Sequence, residues 1–336
     1  MEKFAALAVK RFEEYEYDTY LIGTRVDLSI QEREEELWTI THQWAEPIKS
    51  ELNREIGKLV GGRTGKEADH RHPDIVGVVD TRYDVVEVHV APLFLYGRYR
   101  KLVRGIPQTV WPCRACMGKG CDRCGGTGKM YPTSVQEIIA EPVTALVHGT
   151  GTKFHGMGRE DIDALMLGNG RPFVIEVGDP KKRGVDYSSL MKAINTHGKG
   201  RVEVSSLRTS SRQEAVELKL AKAPKTYRLL VAFDRPLEEE KVKEALRTLK
   251  GSVDQRTPQR VAHRRADLVR VRKVMEGTME WLKGEKAMLR ITGESGLYVK
   301  ELISGDEGRT NPSLAGLLGV GCVVKELDVI EIGDQG

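Results

Sequence analysis

Four cysteines stand within twelve residues of WPCRACMGKGCDRCGGTGKM, as C-x2-C-x4-C-x2-C at Cys113, Cys116, Cys121 and Cys124. Four thiolates can close a tetrahedral shell around Zn²⁺. Gly118, Gly120, Gly125 and Gly126 let the backbone turn tightly around such a metal. The set holds no histidine and implies no open position, so the expected zinc is structural. A redox pair or free thiols is the alternative, and the short central spacer leaves room for a partner from elsewhere to complete a second site. Cys322 lies in an apolar run and reads as a core residue. A second unusual cluster is GMGREDIDALMLGNGRPFVIEV at 156–177, where glycines flank Arg159, Glu160, Asp161 and Asp163 ahead of an apolar strand. A carboxylate held in a glycine-rich loop between packed elements can be a nucleophile or a general base. A solvated turn has the same composition. Asp161 and Asp163, two apart, cannot be ranked by periodicity.

Basic and aromatic segments accompany these clusters. RTPQRVAHRRADLVRVRK at 256–273 carries seven Arg or Lys and one acid, Asp267, and its LVRVR alternation suits a strand with one basic face. Phosphate contact is the natural use of such a face, and a charged edge strand is the alternative. GRYRKLVR at 97–104 has four basic groups and no acid, and is a second candidate phosphate contact. Tyr227 sits between Lys225 and Arg228 in a strand, and Tyr298 and Lys300 lie beside a glycine turn. Either ring could stack on a base or pack in the core. Neither GGRTGKE nor GTGTKF has the spacing of a phosphate-binding loop, and no GxGxxG follows a strand.

The elements that must hold these residues follow from pattern. Residues 1–16 read as an amphipathic helix, 19–26 as a strand, and 29–60 as a helix bent near Pro47. A loop is expected over 61–73, then β-runs at 74–79 and 85–95. Ser134 followed three residues later by Glu137 opens a helix over 133–147 with a capping box. Strands (171–178, 226–234, 288–293, 322–332) then alternate with helices (186–196, 237–250, 313–318).

The 336 residues suit two or three domains. No apolar run reaches the length of a membrane helix and the N-terminus has no signal-peptide pattern. A cytoplasmic protein is therefore expected. The net charge of +4 hides an acidic head and a basic body. Residues 1–57 hold 7 basic and 13 acidic groups, and the remainder 46 and 36, a balance of −6 against +10. That split argues for an anionic partner of the body, most simply nucleic acid.

Taken together, GRYRKLVRGIPQTVWPCRACMGKGCDRCGGTGKMYP, KFHGMGREDIDALMLGNGRPF, the KTY strand, HRRADLVRVR and GLYVKELISGDEGRTNPS resemble the archaeal and eukaryal Pus-ten family of tRNA pseudouridine synthases. The resemblance spans nearly the whole chain. It implies an α/β (α+β) fold: a pseudouridine-synthase catalytic domain with a mixed, mainly antiparallel sheet (133–336), a THUMP-like RNA-binding accessory domain (1–108) and a zinc knuckle (109–132). The motif resembling GRxD selects Asp161 as the catalytic aspartate. The KxY motif sets Tyr227 against the target base. Tyr298 is placed near the base, Lys300 in an ion pair with Asp161, and Arg159 on the flipped nucleotide's place or phosphate. Such relatives usually begin with a further segment bearing another CxxC pair, and this chain is expected to lack it.

The implied reaction turns uridine into pseudouridine in tRNA, with T-loop positions 54 and 55 as the expected targets. The base is flipped out, its bond to the sugar breaks with Asp161 as nucleophile or base, and carbon 5 joins the ribose. Attack on the sugar and a glycal route both fit. No redox cofactor, membrane or obligatory protein partner is expected, and tRNA is the expected partner. A non-catalytic zinc-containing RNA-binding protein is the competing reading, and a chaperone-like or redox zinc module a third.

Overall fold

A computed structural model describes residues 1–41 and 46–333. The chain opens with helix α1 (Glu2–Phe12), whose Ala5, Ala8 and Phe12 recur at helical spacing and bury one face. That face covers a small sheet built from β1 (Thr19–Arg25), then, after α2 (Leu28–Thr41) and α3 (Ile48–Thr64), from β2 (Glu67–Ala68), β3 (Ile75–Asp80) and β4 (Val85–Val90). Its order is β2-β1-β3-β4, with β1 parallel to β2 and β3, and β4 antiparallel to β3. The bent helix expected over 29–60 is two helices, and its stretch 42–45 lies outside the described residues. Pro47 caps α3, where its missing amide costs nothing. α3 also runs into the expected loop, ending at Gly65 with φ +67°.

The β-run expected over 85–95 breaks at Ala91–Pro92, because proline cannot continue the ladder. β5 (Leu93–Lys101) therefore leaves the small sheet and pairs antiparallel with two strands of a larger one. The two sheets thus part near residue 91, ahead of the boundary expected at 108.

The cysteine hairpin follows, then α4 (Val135–Val147), β6 (Thr152–Gly156), β7 (Leu165–Val177), α5 (Tyr187–His197), β8 (Val202–Thr209) and α6 (Arg212–Leu220). β9 (Lys225–Phe233), α7 (Glu239–Thr248), β10 (Gly251–Arg256), β11 (Val269–Lys283) and β12 (Lys286–Gly293) come next. α8 (Val299–Ser304), β13 (Thr310–Asn311), α9 (Leu314–Leu318) and β14 (Cys322–Ile332) complete the order. Among the described residues the large sheet runs β13-β10-β11-β12-β9-β14-β7-β5-β8, with β6 beside β7. Only β7 and β14 run parallel in it, so the sheet is mixed and mainly antiparallel.

The Ser134 half of the expected capping box is present: Ser134 Oγ accepts from the Glu137 amide at 3.2 Å, while the Glu137 carboxylate accepts from the Ser134 hydroxyl at 2.8 Å. The basic segment 256–273 is not one strand. A 3-10 turn at Gln259–Arg264 precedes β11, so only the LVRVR end keeps the expected alternation.

Candidate active site

The GRED loop crosses from β6 to β7 at the middle of the large sheet. Asp161 projects from it, with Oδ2 3.1 Å from Lys300 Nζ and 3.9 Å from Arg260 Nη1. Lys300 lies in the first turn of α8, and Arg260 in the turn before β11. A cavity of about 470 Å³ opens here, lined by Asp161, Arg159, Tyr227, Tyr298 and Lys300. All five non-cysteine residues singled out in the sequence thus share one cavity. Asp163 also pairs with Lys300, at 3.2 Å, but its side chain is 71% exposed and stands outside the lining. Geometry therefore separates two aspartates that spacing could not.

What aims Asp161 outward is its neighbour pointing inward. The Glu160 side chain is fully buried, bonded to Arg171 Nε at 2.8 Å and to the Tyr99 hydroxyl at 2.9 Å. Lys101, also fully buried, donates to the carbonyls of Ile106, Asp161 and Ile162 at 3.0, 3.1 and 3.2 Å and lies 3.8 Å from Glu160. Gln108 adds bonds to Tyr99 and to the Gly158 carbonyl. Burial lifts the Tyr99 phenol well above its ordinary range, with Glu160 adding to the effect. Burial also lowers the Lys101 ammonium, against the pull of Glu160.

These contacts take Lys101 out of the phosphate face expected at 97–104 and engage its arginines within the chain. Arg98 donates to the Asn169 and Gly170 carbonyls, Arg100 pairs with Glu203, Lys101 is interior, and Arg104 pairs with Asp328 at 2.7 Å. Alternation along β5 turns Tyr99 and Lys101 inward and leaves Arg98 and Arg100 on the other face, so Lys101 alone of the four is interior. Arg270 and Arg272 of β11 do line the cavity, while Val269 and Val271 face away and are exposed.

Tyr227 is buried in β9 between Ile291 of β12 and Val329 of β14. Burial pushes its phenol up to about 12, Arg171 opposing and Asp161 adding, so the ring stays neutral. Tyr298 is fixed by its backbone: its amide donates to Gln255 Oε1 at 2.9 Å and its carbonyl accepts from Gln255 Nε2 at 3.0 Å. Its hydroxyl accepts from Arg265 at 2.8 Å. Arg159 is exposed and lies 5.4 Å from the centre of the Trp111 ring in the cysteine hairpin. The arrangement offers an ion-paired carboxylate, a flat apolar ring and a rim of guanidinium groups. It can hold a flat heterocycle beside a carboxylate while the rim meets phosphates.

Reasoning from sequence gave Tyr99, Glu160, Arg171 and Lys225 no role in the site, and gave Lys101 a surface one. Position beside Asp161 and beside Tyr227 was the available signal for Glu160 and Lys225. For Tyr99, Lys101 and Arg171 no local signal existed.

The four cysteine sulfurs lie within 4.8 Å of one another. Cys113–Cys121 is 4.0 Å, Cys116–Cys124 3.9 Å and Cys121–Cys124 3.7 Å. A tetrahedron with Zn–S of about 2.3 Å has S–S edges of about 3.8 Å, so the donor set fits a metal ion. Amides of Gly120, Cys121 and Gly128 point at the sulfurs, each at 3.2 Å. Burial opposes ionisation of the Cys124 thiol, but the Cys121 and Gly128 amides prevail and bring it to about 6. Gly128, with φ +69°, passes so close to the Gly118 carbonyl that a Cβ would lie 2.3 Å from it. Cys322 is buried as expected, its thiol raised to about 12 by burial.

Residues 94–333 match the family model "Pus10, C-terminal", and residues 4–80 match "Pus10 THUMP domain, archaeal". A protein called "tRNA pseudouridine synthase Pus10" from Methanothrix thermoacetophila is 48% identical over 99% of this chain and 74% of its own length. One of the same name from Halorubrum lacusprofundi is 47% identical over 98% of this chain and 80% of its own. A chain of the solved structure "Crystal Structure of a Cbf5-Nop10-Gar1 Complex" aligns at 19% identity and TM-score 0.38, over 59% of this chain and 45% of its own. That likeness is too loose to argue from.

Proposed function

The chain belongs to the Pus10 family of tRNA pseudouridine synthases, and on that premise we propose that its cavity isomerises uridine in the tRNA T-loop, at positions 54 and 55. The activity is that of an isomerase converting uridine in tRNA to pseudouridine. The observation that carries the assignment of roles is Asp161, ion-paired with Lys300 at the edge of a cavity floored by Tyr227.

A uridine inside a folded loop must be flipped to reach this cavity, at a cost of a few kcal/mol. Tyr227 stacks on the uracil and stays neutral throughout. Tyr298, anchored by Gln255, closes the pocket beside it. Asp161, ion-paired with Lys300 and Arg260, acts on the sugar as nucleophile or as base. The C1′–N1 bond breaks, the uracil turns over Tyr227, and its carbon 5 bonds to C1′ while N1 gains a proton and carbon 5 loses one. The nucleotide's formula is unchanged, so no redox cofactor enters. Arg159 takes the place of the flipped nucleotide or holds its phosphate.

Zinc bound by Cys113, Cys116, Cys121 and Cys124 supplies structure to the hairpin that carries Trp111 against Arg159. Residues 1–91 act as a THUMP-like accessory unit that helps hold the tRNA. Among the described residues no helix is long and apolar enough to cross a membrane. We read the chain as acting on tRNA in the cytoplasm, without an obligatory protein partner.

The test uses an unmodified tRNA transcript with tritium at uracil carbon 5. The chain releases tritium, and Asp161→Asn lowers the rate by at least about 10³-fold, the scale of losing an essential group. Normal turnover by that variant would sink the assignment of Asp161. Carbodiimide treatment and primer extension then give stops at 54 and 55. Stops elsewhere only would overturn the T-loop reading.

A further inference from the structure

Lys225 opens β9 at the floor of the cavity and is 9% exposed. Among the described residues its ammonium has no carboxylate in ion-pair reach, and its one hydrogen-bond contact is the Ser295 hydroxyl at 3.5 Å. The charge that acts on it, Arg171, has the same sign. The two cations flank Gly158: a Cβ built there would lie 3.5 Å from both Lys225 Nζ and Arg171 Nη1, and its φ of +70° favours glycine as well. Arg171 is neutralised by Glu160, and Lys225 by no carboxylate among the described residues. A buried, unpaired ammonium is costly to keep. Its retention in a cavity points to a negative charge that arrives with, or develops on, the bound molecule.

Its place in the strand narrows that charge to one part of the molecule. Lys225 and Tyr227, two apart in β9, project from the same face of the sheet. A ring stacked on Tyr227 therefore presents an edge toward Lys225. Across the ladder, Lys225 faces Gly293 of β12, which puts no side chain beside it.

Resting on the reading of the cavity as a uridine isomerase, we propose that Lys225 is the counter-ion of the uracil ring while that ring is detached from the sugar. When the C1′–N1 bond breaks, its electron pair stays on the uracil, as negative charge on N1 and O2. C1′ is satisfied by an oxygen of Asp161, or by a C1′=C2′ bond once Asp161 has taken the 2′ hydrogen. Lys225 donates a hydrogen bond to the anionic edge without giving up its proton. When carbon 5 supplies the pair that forms the new bond to C1′, either the C1′–O bond breaks and returns its pair to the Asp161 carboxylate, or the C1′=C2′ pair takes the proton back from Asp161 at C2′. Carbon 5 then loses a proton, N1 gains one, and Asp161 and Lys225 end as they began. Lys225 is thus a catalytic residue that touches the leaving group, acting by preorganised charge.

The experiment uses the full chain, unmodified tRNA, and Lys225→Met and Lys225→Arg beside wild type and Asp161→Asn. Lys225→Met binds tRNA with a Kd within about two-fold of wild type and melts at the same or a higher temperature, since it removes a cost. Its single-turnover rate falls on the order of 10²-fold, as for loss of one preorganised donor, and Lys225→Arg recovers part of it. With a transcript containing 5-fluorouridine, whose ring is a more stable anion, the Lys225→Met deficit in consumption of the fluorinated nucleoside narrows by about tenfold. A wild-type rate in Lys225→Met, a loss confined to Kd, or an undiminished deficit on the fluorinated substrate would each overturn the proposal. A loss confined to Kd would instead make Lys225 a phosphate anchor. Tritium release absent from wild type would overturn the reading of the cavity itself.

Discussion

Glu160 and Asp161 are chain neighbours with opposite surroundings, and the difference is what makes a site. Glu160 is interior, its charge met by Arg171 and approached by Lys101. Buried ion pairs seldom add stability over well-packed apolar groups, but they penalise any other arrangement. Here the penalty holds the loop in the register that turns Asp161 toward the cavity. Lys225 shows the same physics without compensation. Burial, with Arg171 beside it, lowers its ammonium to about 8. The other groups facing it are neutral Tyr227 on its own strand, the Ser295 hydroxyl and the Asp161 loop. Arg272 stands farther along the cavity wall. Between about pH 8 and 10.5 the unfolded chain keeps the Lys225 proton and the folded chain releases it, so stability rises with pH over that window. In full the rise is on the order of 3 kcal/mol. Denaturant melts of wild type and Lys225→Met at several pH values should show Lys225→Met more stable at pH 7, with the difference shrinking above pH 8. Over the same window the wild-type single-turnover rate should decline, and that of Lys225→Arg should not.

At the scale of elements, the cysteine hairpin has almost no apolar core to hold it. It is closed by Cys113 N to the Gly128 carbonyl at 2.7 Å and by Met130 N to the Trp111 carbonyl at 2.9 Å. A loop so short and so rich in glycine would depend on a bound metal for order. The purified chain should carry one zinc per molecule by atomic emission. With a strong chelator four thiols should become reactive, while Cys322 stays protected until the fold is denatured. Cys121→Ser should lose the zinc and loosen Trp111 from Arg159, seen as a change in indole fluorescence, without moving the main thermal transition. Four reactive thiols before chelation would refute the zinc site. Some elements were plain in the sequence for equally local reasons. The Ser134 cap of α4 and the apolar run that opens β14 depend only on neighbours in the chain. β10 and the long β11 were missed or misjudged because their partners, not their own pattern, decide where they start and bend.

Across the whole molecule, the small sheet and the large one meet at a short polar seam. Glu16 accepts from the amides of Arg183 and Gly184, and these donors hold its carboxyl below the usual carboxylate range. Arg183 in turn reaches the Asp74 and Ala91 carbonyls and lies 3.4 Å from the Asp74 carboxylate. The seam is small and partly exposed, as expected of units that bind one ligand together while folding separately. Arg183→Met should free the accessory unit without disturbing the cavity. The KM for tRNA should rise about tenfold, from lost avidity, while kcat stays within about two-fold. A fall in kcat with unchanged KM would place the accessory unit's role in chemistry instead.

The sequence by itself determined the chemistry available. It supplied a four-thiolate metal hairpin, a glycine-flanked aspartate, stacking tyrosines, a lysine beside the turn, and an acidic head on a basic body. These are matters of residue type and near spacing, which survive without a fold. Only the tertiary structure decided which of two aspartates faces the cavity, that β5 belongs to the large sheet, that Lys101 of the basic run 97–104 is interior, and that Lys225 stands buried without a carboxylate partner among the described residues. Each of those depends on contacts between residues far apart in the chain, 137 positions for Asp163 and Lys300 and 223 for Arg104 and Leu327. Such contacts also set the local dielectric and charge. A charge is a phosphate contact, a fastener or a catalyst according to what is packed around it, and that is written in no one segment of the chain.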